Sequence, residues 1–373
     1  MSLKKSLGLY LHVPFCVQKC RYCDFCSVAG RSADIISEYC RTLAMRAGEF
    51  AERAGDYCVD TVYFGGGTPS LMSLRDAERL IDVISSKYDV SGNAEITFEC
   101  NPATADLEYF RGLRALGINR ISMGLQSALD SELALLGRIH TAKEFSQTFD
   151  AARRAGFDNI SADLMYGIPD QTMDSFRYSI DYLTAHEPEH ISAYALSVEE
   201  GTYFYEHQNE LALADDDTQS DMYLECVSRL GKSGYERYEI SNFAKDGKYS
   251  RHNTRYWKRL DYLGFGVAAH SCFEGQRFGN SRDIAAFLRG EDITEELSLI
   301  TAEDERAEYI MLGLRLAEGI DTAEFFARYG EKLEENPSVK RYIESGFMSF
   351  SGGKLAFEDK GFLLSNAILA DII

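Results

Sequence analysis

Cys16, Cys20 and Cys23 stand in a CxxxCxxC run directly after a β-rich segment at residues 8–13. A loop of that spacing can wrap one face of an iron–sulfur cube with three thiolates. Cubane clusters ordinarily take four cysteines, so a set of three leaves one iron an open position for a small ligand. Zinc sites favour paired CxxC modules, and redox pairs use a single CxxC. Cys26 forms such a CxxC with Cys23, so zinc held by Cys16 or Cys20 with Cys23 and Cys26 is the alternative. Three unconnected thiols are the bland reading. We take Cys16, Cys20 and Cys23 as the ligands of a [4Fe–4S] cluster and Cys26 as a neighbour that does not ligate.

Polar groups recur where other β-rich segments end. Gly65, Gly66 and Gly67 precede Thr68 and Pro69, and glycines let backbone approach a ligand closely. Alone, such a run is a turn. Glu99, Gln126 and Asp163 close three further segments. One polar residue at a strand end is an ordinary cap, whereas a series on successive strands makes a ring that hydrogen-bonds hydroxyls and an ammonium. Arg138 offers a cation to a carboxylate, and Tyr10 and Tyr22 offer aromatic faces to the cluster and its ligand.

A third group lies far along the chain. His252, Tyr256 and Trp257 sit in an HNxxYW run containing the only tryptophan, and residues 245–259 hold six basic residues and one acid, Asp246. An imidazole can ligate heme iron, aromatic faces can stack on a porphyrin, and guanidinium groups can pair with propionates. The plainer reading is a Tyr–Trp anchor with a solvated basic rim. His270 is a rival imidazole, though between apolar neighbours the plainer reading is a hydrogen-bonded core residue.

These residues need a frame that brings strand ends together. Strand-like runs at 8–13, 61–66, 94–100, 120–125, 159–166 and 190–198 alternate with amphipathic stretches near 34–53, 73–88, 105–116, 142–155 and 174–185. Repeated strand–helix order implies parallel strands, because parallel neighbours need a crossover. Six units fall short of the eight of a closed barrel, so the expectation is an α/β fold with a partial, open (β/α)6 TIM-like barrel. Ligands of such folds sit at the C-terminal ends of the strands, where the cysteine loop and the polar series lie. Asp215 to Asp217 cap a helix reaching about residue 232. A strand at 235–241 and a loop-rich stretch to about 280 follow. Helical patterns at 302–317, 322–329 and 338–345, a hairpin at 347–357 turning on Gly352 and Gly353, and a last helix near 360–371 suggest a small winged-helix-like α+β domain. The expected division is 1–235, 236–300 and 301–373.

Composition narrows the partners. With 59 acidic and 39 basic side chains the net charge is −20, which argues against nucleic acid and allows at most peripheral membrane contact. Without a leader or an apolar run long enough to span a bilayer, and with nine cysteines, the expected compartment is the reducing cytoplasm. A homodimer remains open.

The pieces Leu11 to Cys16, Cys20 to Asp24, Gly65 to Ser70, Asn119 to Ser122, Leu136 to His140, Asp163 to Gln171 and Gly264 to His270 resemble the oxygen-independent coproporphyrinogen oxidase-like family of radical SAM proteins. They are most similar to its heme-chaperone branch. The resemblance covers nearly the whole chain. It implies that the open iron binds S-adenosylmethionine, in a pocket of Tyr10, Tyr22, Gly66, Gly67, Thr68, Glu99, Gln126, Arg138 and Asp163. It also implies heme at the HNxxYW run, with His252 as a binding residue, and delivery to an apo-hemoprotein acceptor. The oxidases differ by a long extension before the first strand, which here begins within ten residues of Met1, and by CxxxCxxCxC, where this chain places Asp24 and Phe25 before Cys26. Oxidative decarboxylation of coproporphyrinogen III is the enzymatic alternative. A heme-opening radical methyltransferase is another, against which the short C-terminal part counts.

Overall fold

The computed structural model describes residues 4–373; the first three residues of the segment 1–235 lie outside it. Its strands are β1 (Lys5–Val13), β2 (Phe15–Cys16), β3 (Val28–Ala29), β4 (Tyr57–Gly66), β5 (Val90–Cys100), β6 (Arg120–Gln126), β7 (Ile160–Tyr166), β8 (His190–Ala195), β9 (Glu236–Arg237), β10 (Asn242–Ala244), β11 (Tyr262–Phe265), β12 (His270–Phe273), β13 (Gln276–Asn280) and β14 (Thr294–Leu299). Crossover helices α1 (Ala33–Phe50), α2 (Leu74–Lys87), α3 (Leu107–Ala115), α4 (Asp130–Leu136), α5 (Ala142–Arg154) and α6 (Met173–Thr184) connect the early strands. Ser32, Ser73, Asp106, Thr141 and Thr172 start five of these helices by accepting a first-turn backbone N–H, the role short polar side chains play at N-caps.

One twelve-stranded sheet runs in the order β14-β13-β12-β11-β1-β4-β5-β6-β7-β8-β10-β9. The six expected strands are adjacent and parallel. The core is a partial barrel, open between β14 and β9 in its hydrogen bonding. Alternation along β1 sends Leu7, Leu9, Leu11 and Val13, all at 0% exposure, into the hydrophobic core, and leaves Gly8, Tyr10 and His12 on the opposite face.

The structure departs from the sequence reading after residue 232. Helices α7 (Tyr203–Glu206) and α8 (Asp216–Lys232) are followed by β9 and β10 instead of one strand, because Ile240 N–H bonds the Arg315 carbonyl. The stretch expected to be loop-rich contains α9 (Arg251–Trp257), the strands β11 to β13 and, beyond them, α10 (Ile284–Leu288). β11 pairs parallel with β1, extending the barrel sheet from the far side. Its partner lies some 250 residues earlier in sequence, so no local periodicity announces it.

The C-terminal part comprises α11 (Ala302–Gly313), β15 (Ile320–Asp321), α12 (Thr322–Tyr329), α13 (Pro337–Glu344), β16 (Met348–Ser351), β17 (Lys354–Phe357), α14 (Asp359–Leu363) and α15 (Ser365–Ile372), with sheet order β15-β17-β16. Gly352 and Gly353 both take positive φ, as the tight hairpin requires. Helices beside a small winged sheet match the winged-helix-like expectation. Among the described residues no helix is long and apolar enough to cross a membrane.

Helix α9 closes the N-terminal end of the parallel strands. Glu95 accepts the N–H groups of Arg251 and His252 at 3.1 and 3.0 Å, placing a carboxylate on the helix start. Arg255, 2% exposed, pairs with Asp60 and donates to the Asp261 carbonyl at 2.9 Å. Gly8 leaves it room, since a Cβ there would stand 2.5 Å from Arg255 Cδ. Removing Asp60 would strand a buried guanidinium. We expect Asp60→Ala to lose roughly 2–4 kcal/mol of stability, read as a lowered urea midpoint; an unchanged midpoint would show the pair contributes nothing.

Candidate cluster and ligand site

Phe15 and Cys16 pair with Val28 and Ala29, so the cysteine loop between them closes at its base. The loop then docks on the end of α4. Arg21 N–H bonds the Leu136 carbonyl at 3.0 Å, and the Gln18 amide bonds the Gly137 carbonyl at 3.0 Å. No disulfide involves Cys16, Cys20 or Cys23. Thr68 Oγ1 donates to Cys16 Sγ at 3.5 Å, and Arg138 Nη1 to Cys20 Sγ at 3.7 Å. Among the described residues no three His, Cys, Asp or Glu side chains converge on one metal-ion position. A cubane does not ask for that, because each thiolate takes its own iron.

The three cysteines line one cavity of about 570 Å³ together with Tyr22, Gly66, Gly67, Thr68, Glu99, Gln126, Arg138 and Asp163. Each wall has a local cause. Gly66 sits at φ 113°, and a Cβ on it would meet the His12 ring at 2.6 Å. Its N–H donates to Glu99 Oε2 at 3.1 Å, while the Tyr63 hydroxyl donates to Oε1 at 2.8 Å. Gln126 is non-glycine at φ 69°, where the register between β6 and β7 shifts; strained backbone of this kind collects at functional sites. Arg138 also donates to the Gly124 carbonyl at 3.0 Å, and its buried Nε has no partner among the described residues. That unspent nitrogen, beside three thiols and two carboxylates, fits a site built for a cluster and a zwitterionic ligand.

Burial lifts the Glu99 carboxyl to about 7, with the Asp163 charge adding to it and the Tyr63 and Gly66 hydrogen bonds resisting. Burial likewise lifts Asp163 to about 6, against the Ser192 hydroxyl and the Arg120 and Arg138 charges. Two acids held near neutrality favour a cationic ligand, which lets them ionise without a bare buried charge.

Tyr10, expected in this pocket, and His252, expected at a heme site, both lie outside it. Tyr10 faces a second cavity of about 670 Å³. Its hydroxyl is 2.9 Å from His12 Nδ1, and His12 Nε2 donates to the Cys26 carbonyl at 2.9 Å, which leaves Nδ1 as the acceptor. His252 lines neither cavity. It is 1% exposed, with Nδ1 2.9 Å from Thr61 Oγ1 and Nε2 2.8 Å from the Tyr256 hydroxyl. Burial, then the Arg255 and Arg120 charges, push it down to about 3, so it is a neutral buried imidazole with both nitrogens engaged. Cys26 lines the second cavity and not the cluster cavity.

The sequence reading missed Tyr63, Asn101, Arg120 and Asn253, all on the first cavity. Tyr63 is signalled by its i, i+2 relation to Gly65, and Arg120 by a cation at the start of the strand that ends in Gln126. Asn253 enters only because α9 packs beneath the barrel.

Residues 10–183 match the radical SAM superfamily and residues 300–364 the HemN C-terminal domain. The chain is 34% identical over 371 residues to the heme chaperone HemW of Bacillus subtilis, covering 96% of this chain and 97% of that one. It belongs to the HemW family. The HemW of Escherichia coli is 32% identical, with 97% of each chain covered. The HemW of Haemophilus influenzae is 37% identical over 86% of this chain and 85% of its own. Among solved structures, coproporphyrinogen III oxidase (HemN) from Escherichia coli superimposes with a TM-score of 0.86 over 99% of this chain and 90% of its own, at 21% identity. That likeness establishes the shared fold. The superfamily match contains all three cysteines, whereas α9 and both histidines, His252 and His270, lie between the two matched regions. The HemW relatives align across that gap.

Folded Glu99 holds its proton more tightly than an ordinary glutamate near 4.5. It therefore favours the fold at acidic pH, and that contribution is lost as pH rises from about 4.5 through 7. Glu99→Gln has no charge to desolvate. In cluster-free protein the variant should match the parent near pH 4 and exceed it by roughly 3 kcal/mol at pH 8. Urea unfolding at both values checks this; an equal difference at the two would refute the raised carboxyl.

Proposed function

We propose that this chain binds heme and delivers it to an apo-hemoprotein, on a core that holds a [4Fe–4S] cluster and S-adenosylmethionine. The observation that carries the reading is the end-to-end alignment with proteins named heme chaperone HemW, which includes the stretch outside both family models. Likeness to the oxidase rests on fold at 21% identity, and the fourth cysteine of its CxxxCxxCxC pattern is displaced to Cys26.

In this reading Cys16, Cys20 and Cys23 ligate three irons. Gly66, Gly67 and Thr68 border the methionine end of S-adenosylmethionine, and Glu99 faces its ammonium. Arg138 faces its carboxylate, Gln126 and Asp163 its ribose hydroxyls, and Tyr22 its adenine. Tyr10 supports the site from behind, since its ring packs within 3.1 Å of the Gly65 Cβ position. A bound cluster would supply electrons at the edge of this pocket. Arg138 would hold one carboxylate and donate to the Cys20 sulfur, so one side chain would tie ligand to cluster. The acceptor is read as a protein and the setting as cytoplasmic; the net charge of −20 disfavours nucleic acid.

Arg138→Ala removes a charge-assisted contact worth roughly 1.5–3 kcal/mol. Calorimetry on the anaerobically reconstituted protein should show S-adenosylmethionine bound at least about tenfold more weakly, and unchanged affinity would move the carboxylate elsewhere. The function is tested on the same preparation. Hemin should bind, and heme should pass to an apo-hemoprotein, while coproporphyrinogen III is not turned over. Robust conversion to protoporphyrinogen by reduced protein would favour the oxidase.

A further inference from the structure

Seven histidines occur in the chain. Six have a ring nitrogen within hydrogen-bond distance of a protein group: His12, His140, His186, His190, His207 and His252. His270 alone, among the described residues, has neither nitrogen engaged. It is exposed at the start of β12 and stands on the wall of the second cavity.

Its position is tightly determined. Gly264 approaches so closely that a Cβ there would lie 2.2 Å from the His270 carbonyl oxygen. The intervening turn carries Gly266 at φ 96° and Ala268 at φ 54°, and the Asn280 amide donates to the Gly266 carbonyl at 2.8 Å. The residue paired with His270 on β13 is Gly279, so no side chain stands across from the imidazole.

The rest of the wall has a consistent chemistry. Tyr256 and Tyr262 meet edge to face with centroids 4.7 Å apart. Phe25, 69% exposed, covers part of the rim. Arg282 also lines the cavity and has no ion pair among the described residues; Asp24 and Glu295 carry the opposite charge, leaving Arg282 its one guanidinium. A volume of about 670 Å³ lies within the roughly 300–1,000 Å³ of small-molecule sites. An unspent imidazole, flat aromatic walls and one cation are the elements that hold iron, porphyrin plane and propionate.

We infer that this second cavity seats the heme, with His270 as an axial ligand of its iron and Arg282 facing a propionate. The assignment rests on the heme-binding reading above and replaces His252, whose nitrogens are both engaged inside the barrel. Coordination donates the lone pair of one His270 ring nitrogen to iron and involves no change of oxidation state. Asp24 and Phe25 line both cavities, so the heme would lie against the outer side of the cysteine loop.

The test uses the full chain with its cluster reconstituted, titrated anaerobically with ferric hemin and read by Soret absorbance and electron paramagnetic resonance. The parent should show a histidine-ligated spectrum. His270→Ala should lose that signature and bind hemin roughly tenfold more weakly or worse, with iron–sulfur content unchanged, and added imidazole should restore the spectrum. Metal-free protoporphyrin IX, which needs no axial ligand, should bind parent and variant alike. Arg282→Ala should weaken hemin binding without shifting the Soret band. A parent-like spectrum and affinity in His270→Ala would overturn this assignment while leaving heme binding standing. So would a thiolate spectrum abolished by Cys26→Ser. Failure of the parent itself to bind hemin would overturn the heme reading and this one with it.

Discussion

A Cβ on Gly67 would stand 2.7 Å from the carbonyl oxygen of Phe15, and this close approach is the constraint on which the site depends. It lets Gly67 N–H reach the Val13 carbonyl at 2.9 Å and Thr68 N–H the Phe15 carbonyl at 2.7 Å. The glycine loop after β4 is thereby joined to the segment carrying Cys16. Any side chain at Gly67 would wedge the two apart and separate the thiol from the Thr68 hydroxyl that reaches its sulfur. The same geometry aims Gly66 N–H at the Glu99 carboxylate, so a third strand joins the cavity through its side chain.

Helix α9 performs the complementary task at the other end of the barrel. It lies beneath both cavities, with Asn253 reaching the first and Tyr256 the second. His252 stands between them, stacked with Tyr63 at 5.2 Å and Tyr10 at 6.4 Å. A histidine, tyrosine and tryptophan run beside a basic stretch looks like a porphyrin motif, yet its cations largely act within the fold. Arg255 pairs with Asp60 and Arg259 with Glu305 and Glu308. In a chain this acidic, a basic stretch can be neutralised internally before it meets any ligand.

Different ligating groups divide the two cavities. The first buries acids against a guanidinium and thiols, so ligand charge is answered by groups whose ionisation it shifts. The second sets tyrosines, Arg282 and two acids around an imidazole left uncommitted. The cysteine loop is their common wall, since Asp24 and Phe25 line both, and the His12 bond to the Cys26 carbonyl braces that loop on the side of the second cavity.

The spacing of Cys16, Cys20 and Cys23, the glycines before Thr68, and the polar ends of successive strands were legible in sequence because each depends on residues within one turn or on the two-residue strand period. The hairpin at Gly352 and Gly353 was legible for the same reason. The alternation of strand-like and amphipathic runs, with the need of parallel neighbours for a crossover, showed the six parallel strands and the helices between them. What sequence left open was every contact between distant segments. β11 beside β1, α9 under the barrel and the two short strands in place of one are set by packing partners far away in the chain. The roles of individual imidazoles belong to that class, because a histidine's chemistry depends on what its nitrogens already touch. His252 and His270 are equivalent as residue types; only the folded chain gives Thr61 and Tyr256 to one and leaves the other facing an open cavity.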